Sequence, residues 1–178
     1  MKRIKIITGG IGSGKSYVCN LLRKRGIDVY DCDAAAKRIM RENGEVRQQL
    51  IELIGENAYA GMELNKAVVA EFLLKNADNT KAINAIVHPA VAEDFFKSGK
   101  EWMESAIYFE AKFGDTLKQM SANTAEPYVI CVSAPLTTRI RRVMQRDGIS
   151  EDKAREWIAK QIPQEEKEHL SNYVIKNP

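Results

Sequence analysis

The chain has 178 residues, 44% of them hydrophobic and 29% charged, with a formal net charge of +3. That length suits one domain with a sizeable core, and so small a positive charge does not point to nucleic acid as a partner. Cysteines without a CxxC pair and only two histidines argue against a disulfide framework or a zinc site. No apolar run nears the ~20 residues that cross a bilayer, so the expectation is a cytoplasmic protein with no membrane partner.

RIKIIT (3–8) is apolar enough for a buried parallel strand. After a glycine-rich loop comes KSYVCNLLRKRG, where Val18, Leu21 and Leu22 keep helical spacing and Gly26 stands at the C-terminal cap. IDVY (27–30) then completes a strand, helix, strand unit of the kind that builds α/β sheets. From Ala34 to Ser98 the pattern reads as helical with no strand candidate, which predicts an inserted helical subdomain. SAIYF (105–109) and YVICVSA (128–134) are the next two strands, with a helical EAKFGDTLKQM between them. TTRIRRVMQRDG and SEDKAREWIAKQIP form amphipathic helices, the first closed by Gly148, the second opened by Ser150 and stopped near Pro163. NYVIKN (172–177) is the fifth strand.

The loop itself, GGIGSGKS from Gly9 to Ser16, satisfies GxxxxGK[ST] with a strand before and a helix after. Glycines let successive backbone N–H groups point inward, and the helix N-terminus adds to the anion nest they form. The amides of Gly12, Ser13, Gly14, Lys15, Ser16 and Tyr17 are therefore expected to cradle a triphosphate. Lys15 would supply the charge on the β and γ phosphates, and the Ser16 hydroxyl is the expected Mg²⁺ ligand.

The rest of the chain must choose among phosphate-loop proteins. No aspartate begins a DxxG, and NKAV (65–68) lacks the final Asp of a guanine-reading NKxD, so GTP switching is disfavoured. The fourth strand ends in Ser133 and Ala134 rather than in the acid that motor ATPases carry there. Acids do follow strands at Asp31 and Asp33 in VYDCD, and at Glu110 in IYFE. Strand C-termini line the ligand crevice of a parallel sheet, so a carboxylate there can take the proton of an acceptor hydroxyl or help to hold Mg²⁺; a helix-capping role for Asp31 stays open. Arg139, Arg142 and Arg146 fall at i, i+3 and i+7, one helix face, which suits a lid closing over transferring phosphates.

These pieces together describe a small-molecule kinase of the nucleoside monophosphate kinase type. More narrowly, the chain resembles the dephospho-CoA kinase family, on TGGIGSGKS, DCD, HPAV with His88, AIYFE, RIRRVMQRDG, Gln161 and NYVIKN in that order. The fold class implied is α/β, a three-layer parallel five-stranded sheet of the P-loop kinase fold. Its core would be about 1–33, 99–138 and 166–178, with a helical acceptor-binding insertion of about 34–98 and a lid of about 139–165. The resemblance implies ATP as donor, Mg²⁺, and dephospho-CoA as acceptor, phosphorylated on its ribose 3′-hydroxyl. It implies Lys15, Asp33 and Arg142 as the catalytic set, with Asp33 as base, Arg139, Arg142 and Arg146 on the nucleotide, and Asp31, Asp33, Lys37, His88 and Glu110 toward the acceptor. Another metabolite kinase, or a nucleotide-dependent regulatory protein, remains the alternative.

Departures from the family pattern are Tyr17 after GKS, Lys37 where Arg or His is usual, and Tyr108 in place of Leu. The sequence also stops at Pro178, where the family generally continues into a terminal helix. That departure is expected to bear on stability rather than chemistry. Trp102 and Trp157 read as packing residues, and a helix-boundary position is the plain alternative for His88.

Overall fold

The structure, a computed structural model, describes residues 3–121 and 125–178. The chain divides into two compact units, one formed by Met1–Asp31 with Lys100–Pro178 and the other by Cys32–Gly99.

The first unit begins with β1 (Lys5–Thr8), α1 (Lys15–Lys24) and β2 (Val29–Asp31). Between β1 and α1 lies the glycine loop, and α1 buries Cys19 against Ile7, Val29 and Val132, with Val18 and Leu22 at the edge of that cluster. At the end of α1, Gly26 takes a φ of 78°, which turns the chain toward β2.

The second unit is helical apart from one hairpin. It runs through α2 (Cys32–Glu42), α3 (Gly44–Ile54), a 3₁₀ turn (Glu56–Ala58), β3 (Tyr59–Ala60), β4 (Glu63–Leu64), α4 (Lys66–Lys75) and α5 (Asn79–Ser98). Asn43 and Asn65 cap α3 and α4 by accepting from Val46 N and Val68 N. The β3/β4 hairpin corrects the expectation that no strand interrupts this region. Two-residue strands are too short to show the alternation by which a strand is read from sequence. Pro89 sits inside α5 and not at a boundary, so His88 is a mid-helix residue.

The chain returns to the first unit with β5 (Trp102–Glu104), α6 (Phe113–Met120), β6 (Tyr128–Ser133), α7 (Leu136–Asp147), α8 (Glu151–Ala159), α9 (Gln164–His169) and β7 (Tyr173–Lys176). The five strands are parallel in the order β2-β5-β1-β6-β7, the α/β sheet expected of a P-loop kinase. Gly148 closes α7 in the left-handed region and Ser150 caps α8, as the sequence indicates.

Two elements near the site differ from expectation. The third sheet strand is 102–104, not 105–109. Its register is set by Met103 against Ile6 of β1 and Tyr30 of β2, and the ladder stops at Glu104, which pairs with Ile7 of β1 and with Asp31, the last residue of β2. The apolar run AIYF lies beyond that limit and turns, placing the Tyr108 and Phe109 rings edge to face at 5.2 Å. The helix α9 has no counterpart in the sequence pattern, since QEEKEH offers no apolar period.

Candidate active site

The loop after β1 presents backbone donors. Gly14 is the N-terminal cap of α1 in the left-handed region, with φ 96°. Gly12 has φ 78°, and a Cβ there would collide with the backbone of Arg139. Ser13 N donates to Gly10 O at 3.1 Å, which tightens the loop into a turn. Among the described residues, the amides of Gly12, Gly14, Lys15 and Ser16 have no acceptor within the protein. They are the open end of a helix dipole and so a ready anion site. Ser13 Oγ and Thr8 Oγ1 are buried there without a hydrogen-bond partner.

Lys15 folds its ammonium back over the loop, donating to Gly10 O at 3.3 Å. Burial pulls its pKa down to about 8, and the nearby Glu104 carboxylate partly offsets that pull. Ser16 Oγ donates to Glu104 Oε1 at 3.4 Å. Glu104 ends β5 in register with Asp31 at the end of β2. Two carboxylates therefore stand at neighbouring strand termini next to the loop, as the crevice rule for parallel sheets requires of ligand-facing groups. Cys19, one turn into α1, is hydrogen-bonded to Glu104 and its thiol is pushed up to about 12, chiefly by burial, which leaves it unreactive.

Glu104 is a site residue that the sequence pattern does not reveal, because the apolar run places the strand three residues too late. Glu110 is displaced for the same reason. It does not follow a strand; its Oε1 pairs with Lys167 Nζ at 2.6 Å and accepts from Ile162 N at 3.4 Å. Lys167 is fully buried and also donates to Ala106 O at 2.9 Å. Glu110 thus joins the turn after β5 to α9.

The arginine stripe divides. Arg139 is buried, 4% exposed, and its Nε donates to Ile11 O at 2.9 Å. Arg142 sends Nη1 to Asn177 O at 3.1 Å and to Ser13 O at 3.4 Å, while its Nη2 reaches Pro178 O at 3.1 Å. Asn177 Nδ2 donates to the same Ser13 carbonyl at 2.9 Å. Arg146 does not join them: its side chain is 63% exposed and forks onto Asp147. One face of a helix reaches the loop only over its first two turns here, so the third arginine projects past it. Tyr17 is exposed at 62%, outside the loop's polar lining. Between α7, α9 and the end of β7 lies a cleft of 680 Å³, lined by Leu136, Arg139, Glu168 and Asn177 among others.

In the helical unit, Asp33 lies in the first turn of α2 and is bridged by Lys37 at 2.8 Å, an exposed i,i+4 pair. His88 is half-buried in α5, and burial lowers its pKa.

The donor set beside the loop suits Mg²⁺. That ion takes oxygen ligands, using one or two from protein and the rest from phosphates and water, and Ser16 Oγ and Glu104 Oε1 are such a pair. No cluster of three or more His, Cys, Asp or Glu that could cage a metal by itself occurs among the described residues.

A family model described as dephospho-CoA kinase matches residues 4–178. The chain belongs to the dephospho-CoA kinase family. It is 37% identical to the dephospho-CoA kinase of Bacteroides fragilis strain YCH46, over 98% of this chain and 84% of that protein. The solved structure of TT1252 from Thermus thermophilus superposes with a TM-score of 0.81 at 32% identity, covering all of this chain and 90% of that one. A dephospho-CoA kinase from Campylobacter jejuni shares the fold at TM-score 0.64 and 22% identity, over 99% and 89% of the two chains. As a member of this family the protein is a phosphotransferase.

Proposed function

We propose that the protein transfers the γ-phosphoryl group of ATP to the ribose 3′-hydroxyl of dephospho-CoA, giving CoA and ADP, the last step of coenzyme A synthesis. Family membership over residues 4–178 carries this reading, and the open loop amides beside Lys15 and Glu104 support it. We place the reaction in the cytoplasm on the same ground of family membership.

In this reading the amides of Gly12, Gly14, Lys15 and Ser16 bind the donor phosphates, those of Ser13 and Tyr17 being taken by Gly10 O and Gly14 O, and Lys15 lies against the β and γ oxygens. Ser16 and Glu104 would hold Mg²⁺, which would supply positive charge to neutralise the donor phosphates. Arg142 moves from the carbonyls it now caps to the nucleotide. Asp33 takes the proton of the acceptor hydroxyl as its oxygen attacks the γ phosphorus, and the bond to the β,γ-bridging oxygen breaks to release ADP. Asp31 and Lys37 flank that base, and His88 faces the acceptor. Most of the catalytic gain comes from alignment and charge stabilisation rather than covalent chemistry.

The test is ADP release with Mg·ATP and a panel of acceptors: dephospho-CoA, nucleosides and sugar acids. Turnover that requires dephospho-CoA supports the reading, and turnover only with another acceptor replaces it. Asp33→Asn is expected to lower kcat by about 10²- to 10⁴-fold with the KM for ATP little changed. Turnover within twofold of the parent enzyme would remove Asp33 from the base role.

A further inference from the structure

Ile11 occupies a position that GxxxxGK leaves open, and phosphate binding itself asks for no branched apolar residue there. In this protein all three of its groups are gripped by the segment from α7 to α9. Its side chain packs on Ile140, Val143, Ala154 and Ile158, the core between α7 and α8. Its carbonyl accepts from Arg139 Nε at 2.9 Å, and its amide donates to Gln161 Oε1 at 2.7 Å. The preceding amide, Gly10 N, donates to Gln164 Oε1 at 3.2 Å. Gln164 is 7% exposed, and its own Nε2 donates to Cys131 Sγ at 3.3 Å, which fixes the end of the side-chain amide that faces Gly10. Pro163 lies between the two glutamines as the cap of α9, with φ −52°, so consecutive loop amides meet acceptors three residues apart.

The structure assigns Gln161 and Gln164 as positioning residues for the phosphate loop: neutral acceptors that hold its Gly10 and Ile11 amides so that the later ones converge on the donor phosphates. Neutrality is part of the role. A carboxylate would accept the same hydrogen bonds but would place a negative charge in a loop built for anions. The arrangement also ties the α7/α8 arm to the loop, so displacement of that arm must carry Ile11 with it or break these bonds. The inference rests on the kinase reading only in taking the loop's ligand to be a nucleotide phosphate, and it is tested by nucleotide binding rather than by turnover alone.

Two full-length variants, Gln161→Leu and Gln161→Glu, decide it, using Mg·ADP titrated by calorimetry and amide exchange at Gly10 and Ile11 followed by NMR. In Gln161→Leu the Ile11 amide should lose protection, and the Kd for Mg·ADP and KM for ATP should rise about 10- to 100-fold, with the KM for dephospho-CoA within twofold. In Gln161→Glu that amide should stay protected while Mg·ADP binding weakens, by a factor that shrinks as salt is raised. Folded variants that bind Mg·ADP like the parent, or a rise in both KM values together, would overturn the assignment. Should the leucine variant fail to fold, the glutamate variant still decides, since parental affinity at low salt contradicts it. A parent enzyme that binds Mg·ADP but does not phosphorylate dephospho-CoA would refute the proposed function and leave this test intact.

Discussion

Glu110 offers a direct separation of a structural from a catalytic carboxylate. Its partner Lys167 is 0% exposed and Glu110 only 20%, so the 2.6 Å pair is largely removed from water. Removing one member of such a pair strands the other as a buried charge, which costs about 3–5 kcal/mol. Lys167 keeps one acceptor, Ala106 O at 2.9 Å, and that places Glu110→Ala near the lower end, about 3 kcal/mol. In a chain of this length each kcal/mol moves Tm by roughly 2–4 °C, so a fall of about 6–12 °C is expected. Glu110 Oε2 is buried without a partner, so the pair itself is imperfectly satisfied. The double variant Glu110→Leu/Lys167→Met should therefore recover most of the loss. Thermal denaturation measures both, and the KM for dephospho-CoA should stay within twofold throughout. A Glu110→Ala protein that melts within about 2 °C of the parent but has a raised KM for dephospho-CoA would refute the argument and return Glu110 to the acceptor site.

Lys15 carries a pH signature. Its folded pKa of about 8 lies below the unfolded 10.5, so the unfolded chain holds more protons between those values. The cost of burying the ammonium is full below about pH 8 and is relieved as pH rises toward 10.5, a gain of roughly 3 kcal/mol. Lys15→Met should accordingly be more stable than the parent at pH 7, by an amount that vanishes near pH 10.5, while losing nucleotide binding. Calorimetry at pH 8 in buffers of different ionisation enthalpy should show about half a proton taken up with Mg·ATP, because phosphates restore the charge. Removing the carboxylate that supports Ser16, by Glu104→Gln, should raise the Mg²⁺ concentration for half-maximal activity by about 10- to 100-fold, read from a metal titration at saturating ATP.

The phosphate loop was legible because its chemistry is local: glycines, a lysine and a serine at fixed spacing between a strand and a helix dictate the backbone whatever surrounds them. The helix of the arginine stripe was legible for the same reason, with Gly148 and Ser150 marking its end and the next start. Glu104 was not legible, because an apolar run after it looked more like a strand than WME does. Only pairing with β1 and β2 decides where that strand stops.

Sequence alone thus determined the anion-binding turn, the parallel α/β class and the candidate phosphate ligands, all of which follow from short-range backbone preference and apolar periodicity. Tertiary structure decided what stands beside the turn. Glu104 reaches Ser16 across 88 residues, Gln164 reaches Gly10 across 154, and Lys167 meets Glu110 through a helix with no sequence signature. Those partners are chosen by strand order and by the need of buried polar groups for one another, and neither is written in local spacing.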